Sequence, residues 1–354
     1  MSGTVTRTFD ASREVFRRHL LLAVLVTLYC LLAAWLSQAH GLAVKTGTAG
    51  VLVMNFLTKV PQMIFFVLFW RLLYHTYIAR VPDRMEALKE DVRLFMSDRD
   101  RFVGGAIATI LMALSLMAFA QLKSLIPAMQ PFVWDEYFAE LDRLLHFGSD
   151  PYNFVHTVFG WHYSLSFFTG MYNVWLFVVY FALFGSCFMT TGSVPRMQFL
   201  IAFLLIWAVG GNFLATAFSS AGPPYFASLG LGDSFAPLFG LLDAHAATGA
   251  LSVVETQDVL WAMYSAPNSL NTISAFPSMH VASSVLMAIF GFQVSRWLGI
   301  SLAAFAACIM IGSVLLGWHY AVDGYAGALI AVTGWKAAGC LVRWRNGPFP
   351  NEVR

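Results

Sequence analysis

Apolar residues run along this chain in long blocks separated by short polar stretches. Eight blocks approach membrane length: 20–37, 51–73, 103–122, 164–190, 197–218, 277–294, 298–317 and 322–342. A hydrocarbon core about 30 Å thick needs about 20 helical residues, each rising about 1.5 Å. The expected fold class is therefore all-α: a polytopic membrane bundle of about eight transmembrane helices. The first block is also compatible with an uncleaved signal anchor. No repeat and no low-complexity segment is visible.

The segment 123–163 has a different pattern. Between Asp135 and His146 the apolar positions are 137, 138, 141, 144 and 145, which is helical spacing on one face. Gly148 supplies a stop and Ser149-Asp150-Pro151 a restart. Trp134, Trp161 and Tyr163 suit the headgroup layer. The pattern predicts an interfacial helical hairpin on the outer surface. His146, His156 and His162 meet no metal-ligand spacing and read as belt residues.

Composition agrees with a membrane protein. Of 354 residues, 58% are apolar and 11% charged, against about 25% charged in a soluble domain. Mean hydropathy is +0.68. These values exclude a cytosolic globular enzyme and a disordered chain. A net charge of +2 without a basic tract excludes a nucleic-acid partner. Cys30, Cys187, Cys308 and Cys340 all lie in apolar runs, so no disulfide framework or metal knuckle is expected.

Charge distribution adds an orientation. Sixteen basic residues fall in the N-terminal tail, the segment after the second block, the turns near Arg196 and Arg296, and the C-terminal tail. Three fall on the other side: Lys45, Lys123 and Arg143. By the positive-inside bias, both termini are expected in the cytoplasm, with 123–163, 219–276 and 318–321 facing out.

Three polar residues stand out at the ends of the last blocks. His280 opens the sixth, His319 closes the seventh and Asp323 opens the eighth. Ionisable groups at membrane depth are functional candidates. His280 and His319 are 39 residues apart, which two helices of about 18 residues and a tight turn bridge back to one face. His319 and Asp323 are four apart, on one face of a helix. A carboxylate accepting from one imidazole nitrogen raises the basicity of the other. That arrangement suits a nucleophilic histidine.

Pro277-Ser278-Met279-His280 followed by His319-x-x-x-Asp323 resembles the type 2 phosphatidic acid phosphatase superfamily. Gly222-Pro223-Pro224-Tyr225, Phe276–His280 and His319–Gly324 are similar to segments of one branch, the inositol phosphorylceramide synthase-like phosphotransferases. The resemblance covers roughly 130–340. It implies that His319 takes the phosphoryl group, that Asp323 orients it, and that His280 serves first as acid and then as base. It implies no metal or other cofactor. Two departures concern phosphate charge: a Lys-x6-Arg-Pro motif is absent, and Gly312-Ser313 replaces a Ser-Arg pair. A phosphodiester carries less charge than a monoester, which favours head-group transfer. The helix start at Ser278 and Met279 offers N–H donors. Asn268, Asn271, Thr272, Ser274 and Tyr320 are further candidates, and Pro223, Pro224 and Tyr225 complete the expected substrate contacts.

The expected organisation is an N-terminal membrane region over 1–125, a catalytic membrane domain over 126–345 and a cytoplasmic tail over 346–354. The expected partners are a membrane lipid substrate and a polyol or lipid acceptor. The alternatives are a lipid phosphate phosphatase with water as acceptor, and a non-enzymatic lipid transport or assembly protein. The short Ala/Gly-rich chain points to a bacterial inner membrane with the site facing the periplasm.

Overall fold

The computed structural model describes residues 2–42, 47–190, 192–247, 253–266 and 273–346. In chain order the helices are α1 (Ser2–Ala39), α2 (Gly47–Leu73), α3 (Arg84–Ser97), α4 (Arg99–Lys123) and α5 (Ile126–Met129). Then come α6 (Asp135–Leu145), α7 (Pro151–Phe159), α8 (His162–Cys187) and α9 (Val194–Leu205). A π-helical stretch, Ile206–Leu214, carries α9 into α10 (Ala215–Ala217). The remaining helices are α11 (Ala236–Ala246), α12 (Val253–Ser265), α13 (Met279–Val294), α14 (Arg296–Leu315) and α15 (Ala321–Asn346). No strand occurs among the described residues.

Local chemistry sets many of the starts. Asp83, Asp98, Ser193, Ser278 and Ser295 cap α3, α4, α9, α13 and α14, each accepting a backbone N–H from the first turn. Six helices among the described residues are long and apolar enough to span a membrane: Glu14–Ala39, Arg99–Met129, His162–Cys187, Val194–Ala217, Arg296–Leu315 and Ala321–Arg345. α13, with 16 residues, is shorter. At about 1.5 Å per residue it extends about 24 Å. It lies inside the bundle, with Val281, Ala282, Leu286 and Met287 at most 1% exposed. α2 covers the expected block at 51–73, although the side chains at 51–53 and 55–57 lie outside the described ones.

The main core joins α1, α4, α8, α9, α13, α14 and α15 through residues such as Leu22, Met112, Leu183, Phe203, Leu286, Ile309 and Ala331. α1 thus shares one core with the helices that carry the candidate motifs. The π-helical stretch brings Asn212 inward, where it accepts from the Tyr29 hydroxyl and donates to the Phe119 carbonyl at 3.3 Å. Leu28, Leu31, Trp35, Ile110 and Phe213 form part of an exposed apolar surface that water would not tolerate and lipid would. The chain is an integral membrane protein.

A second core, at the motif end, joins α6, α7, α8, α11 and the turn before α15 through Phe138, Tyr152, Leu165, Leu238, Leu315 and Tyr320. The hairpin expected at 123–163 is present as α6 and α7. Tyr137, Leu144 and Leu145 are exposed, while Asp135, Phe138, Ala139 and Asp142 are buried. The stripe is divided: Tyr137, Leu144 and Leu145 turn outward, Phe138 stays in the core, and the two carboxylates turn inward to backbone donors. The segment 219–276 also contains helices, α11 and α12.

Candidate active site

The site is assembled where α13 begins, α14 ends and α15 begins. α14 stops at a left-handed Gly317 (φ +67°), a conformation glycine adopts without a Cβ penalty. The Gly317 N–H donates to Val314, and those of Trp318 and His319 donate to the Ser313 carbonyl at 3.0 and 3.1 Å. A Cβ at Gly317 would lie 3.0 Å from the Phe239 ring. This turn folds His319 back toward α15.

His319 is 8% exposed, and its Nδ1 lies 3.2 Å from Oδ2 of Asp323. The same oxygen accepts from the Tyr320 N–H at 3.1 Å. With Nδ1–H donating to the carboxylate, the lone pair is on Nε2. Asp323 is 0% exposed, and its backbone carbonyl accepts from the Ser278 N–H at 2.9 Å. That bond ties the start of α13 to the start of α15. Gly327 permits the approach: a Cβ there would stand 2.5 Å from the Ser278 carbonyl oxygen.

His280 occupies the second position of α13, with its ring centroid 5.9 Å from that of His319. α8 holds it from the side, with Tyr172 stacked at 4.7 Å and Trp175 at 4.0 Å. Trp175 is itself fixed by donating Nε1–H to the Ser283 hydroxyl at 3.0 Å. Both histidines line a cavity of about 310 Å³. Its walls include Phe119 and Lys123 of α4, Trp207 and Gly211 of the π-helical stretch, and Tyr225, Pro277, Met279 and Trp318. Gly210 and Gly211 let that stretch close on Met279, with a Cβ at either falling 3.3–3.5 Å from the thioether.

The other expected contacts fall in different places. Met279 and Tyr225 line the cavity. The Tyr225 hydroxyl donates to the Gln257 carbonyl at 3.1 Å, and its ring stacks on Trp261. Ser278 is fully buried; its hydroxyl accepts from Val281 N–H at 3.4 Å, and its own N–H is used by Asp323. It caps α13 and is not among the lining residues. Pro223 and Pro224 form a short turn behind Tyr225, also off the lining. Tyr320 points away from the cavity, donating its hydroxyl to Asp135 at 3.0 Å. Ser274 lines the cavity. Asn268, Asn271 and Thr272 lie outside the described residues.

Two aspartates of α6 lock this end of the protein. Asp135 accepts from Ala221 N–H at 2.9 Å and Gly222 N–H at 2.7 Å, besides the Tyr320 hydroxyl. Asp142 accepts from Ala321 N–H at 2.7 Å and Val322 N–H at 2.9 Å, placing a carboxylate on the first donors of α15. Burial raises the Asp135 carboxyl above its ordinary range and pushes Asp142 up to about 6. It also raises the Tyr320 phenol, reinforced by the charge of Asp135. Sequence reasoning did not find Asp135, Asp142, Tyr172 or Trp175. The two aspartates, seven residues apart, share one face beside the apolar stripe, and that was the available signal. Among the described residues no cluster of three or more His, Cys, Asp or Glu could hold a metal ion.

A membrane bundle with two histidines and a histidine-bound carboxylate over an internal cavity defines a class of lipid phosphatases and phosphotransferases. The family model described as the PAP2 superfamily matches residues 136–337. The chain belongs to that superfamily. The match begins within α6 and runs into α15, taking in Asp142 and all three candidate motifs, while Asp135 and the cavity residues Phe119 and Lys123 lie before it. No curated protein and no solved structure is similar enough to count as a match.

Proposed function

We propose that the protein is a lipid phosphotransferase of the inositol phosphorylceramide synthase-like kind, working through a phosphohistidine. The observation that carries the reading is the His319 imidazole, held by Asp323, facing His280 across an apolar cavity. Nε2 of His319 attacks phosphorus in the donor lipid, and the bond from phosphorus to the diacylglycerol oxygen breaks. His280, protonated at this stage, gives its proton to that alkoxide. The phosphoryl head group is then bonded to His319. A hydroxyl of the acceptor attacks phosphorus, His280 takes its proton, and the bond to Nε2 breaks. Asp323 holds the imidazole in the reactive tautomer throughout.

Transfer is favoured over hydrolysis by the walls of the cavity. Phe119, Trp175, Trp207 and Trp318 are aromatic, which suits lipid and disfavours bulk water. The positive-inside bias supports a site outside the cytoplasm, which we read as the periplasmic side of a bacterial inner membrane. The purified protein should convert a radiolabelled phospholipid and a polyol or ceramide acceptor into a new labelled lipid. Free phosphate as the main product would replace the reading with a phosphatase. No product from phospholipids or lipid phosphates, with or without acceptor, would return the chain to non-enzymatic transport or assembly.

A further inference from the structure

A second cavity, of about 210 Å³, lies at the other end of the bundle. α15 carries Asp323 in its first turn and Arg345 in its last, about 33 Å apart at about 1.5 Å per residue. Arg345 lines this second cavity together with Arg18 of α1 and with Gly192 and Ser193 at the start of α9. Among the described residues none lines both cavities.

Each of the three helices changes from polar to apolar here. The spanning stretches Glu14–Ala39, Val194–Ala217 and Ala321–Arg345 all begin or end at this cavity. One turn further into the membrane from Arg18 stands Leu21, one turn in from Ser193 stands Met197, and one turn in from Arg345 stands Val342. The cavity therefore has a charged rim and an apolar floor.

The rim is positive. Among its lining residues Glu14 is the one carboxylate, and it binds Nε of Arg17 and Nε of Arg18, each at 3.0 Å. Arg345 donates one N–H to the Arg18 carbonyl at 3.0 Å. A guanidinium carries five N–H donors, and these bonds use one from each arginine. Nη1 of Arg18 stands 3.2 Å from the place a Cβ at Gly192 would take, so the bare glycine leaves that group its space. Arg196, in the first turn of α9, adds a fully buried positive charge. Its partners are neutral: the carbonyls of Gly104, Ser186 and Cys187, and Nε2 of His19, whose Nδ1–H donates to the Val15 carbonyl at 2.8 Å.

We propose that this cavity binds the head group of an anionic phospholipid, drawn from the leaflet on its own side of the membrane. By the positive-inside bias that leaflet is the cytoplasmic one. The phosphate accepts N–H donors from Arg18 and Arg345, and the first acyl carbons lie against Leu21, Met197 and Val342. A basic pocket between spanning helices on the cytoplasmic side selects anionic head groups. A free phosphate would use the rim and leave the apolar floor uncovered, which favours the lipid. The bound lipid ties α1 to α9 and α15. The family match covers 136–337, so both rim arginines lie outside it. The proposal goes beyond the transfer reading and does not depend on it.

The test uses the full-length protein in detergent, titrated with dioctanoyl phosphatidylglycerol, dioctanoyl phosphatidylcholine or inorganic phosphate, with binding read by native mass spectrometry. The wild type should bind the phosphatidylglycerol at least about tenfold more tightly than the phosphatidylcholine, and Arg345→Gln should remove most of that preference. Gly192→Asp keeps both arginines and sets a carboxylate beside Nη1 of Arg18; it should cost a similar factor. His319→Ala should keep the wild-type preference. Saturating phosphatidylglycerol should raise the melting temperature of the wild type and of neither rim variant.

No preference in the wild type overturns the proposal, and so does a preference unchanged in both rim variants. Loss of the preference in His319→Ala also overturns it, since the lipid would then sit in the histidine cavity. If Arg345→Gln melts well below the wild type before lipid is added, Gly192→Asp decides. Inorganic phosphate binding as tightly as phosphatidylglycerol, with the same losses in the rim variants, overturns the lipid as the occupant in favour of the free anion.

Discussion

Asp142 offers the most quantitative test of how the site end is held. The perturbation is Asp142→Asn, which keeps the shape of the side chain and removes its titration. In the folded protein the carboxyl is 3% exposed and accepts two backbone N–H groups at the start of α15. Burial nevertheless dominates, and its pKa rises from 3.8 to about 6. Between those values the folded chain binds more protons than the unfolded one. Stability from this group is therefore full below about pH 4 and is lost as the pH rises through about 6. At about 1.4 kcal/mol for each tenfold change in proton affinity, the total is about 3 kcal/mol. Thermal unfolding of the detergent-solubilised protein between about pH 3.5 and 7, spanning that window, gives the measurement. The wild type should lose stability relative to Asp142→Asn as the pH rises across it. The asparagine variant keeps one acceptor for two N–H groups, so turnover should fall because the His319–Asp323 turn loosens. Parallel pH profiles for the two proteins would refute the reasoning, since they would mean that the carboxyl titrates alike in the folded and unfolded chains.

His319→Ala should abolish turnover and covalent phosphate labelling, whereas Asp323→Asn should reduce turnover by roughly 10²–10⁴-fold, as for the orienting carboxylate of other histidine sites; labelled His319→Ala protein would reject the nucleophile assignment. Gly317→Ala should destabilise the protein by about 1–2 kcal/mol from its left-handed backbone alone and more from contact with Phe239, with the loss read in melting temperature and turnover. A cysteine introduced at Asp243, an exposed position on α11, in a background free of native cysteines, should react with impermeant reagents added to intact cells. Reaction only after opening the membrane would reverse the orientation. Activity should survive extensive EDTA treatment, because the candidate chemistry uses His319 as nucleophile and His280 as acid and base, with the Asp323 carboxylate bound to the His319 imidazole; loss restored by a divalent ion would overturn it.

Several features of the protein follow from sequence spacing alone. Blocks of apolar residues specify helices in a bilayer because no other local structure satisfies its own backbone there. Two helical lengths between His280 and His319, and four residues between His319 and Asp323, are enough to bring the three to one end. Gly148, Ser278 and Gly317 act locally, through capping and left-handed turns, and such signals survive in the linear chain. The sidedness of α6 could not be read the same way. Its apolar stripe marks an interfacial helix but does not show that Asp135 and Asp142 turn inward beside Phe138 to backbone donors of other segments. Arg196 counts in sequence as one more cation at the end opposite the site, yet it is fully buried and donates to the carbonyls of Gly104, Ser186 and Cys187. Tyr320 lies next to the histidine in sequence but turns its hydroxyl to Asp135. Tyr172 and Trp175 lie more than a hundred residues before His280 and reach it only because α8 packs beside α13. Sequence spacing fixes what a residue can meet within one helix or one hairpin. Which side chains from distant helices close around the two histidines is decided by helix packing, whose energy is spread over many apolar contacts and is encoded in no single motif.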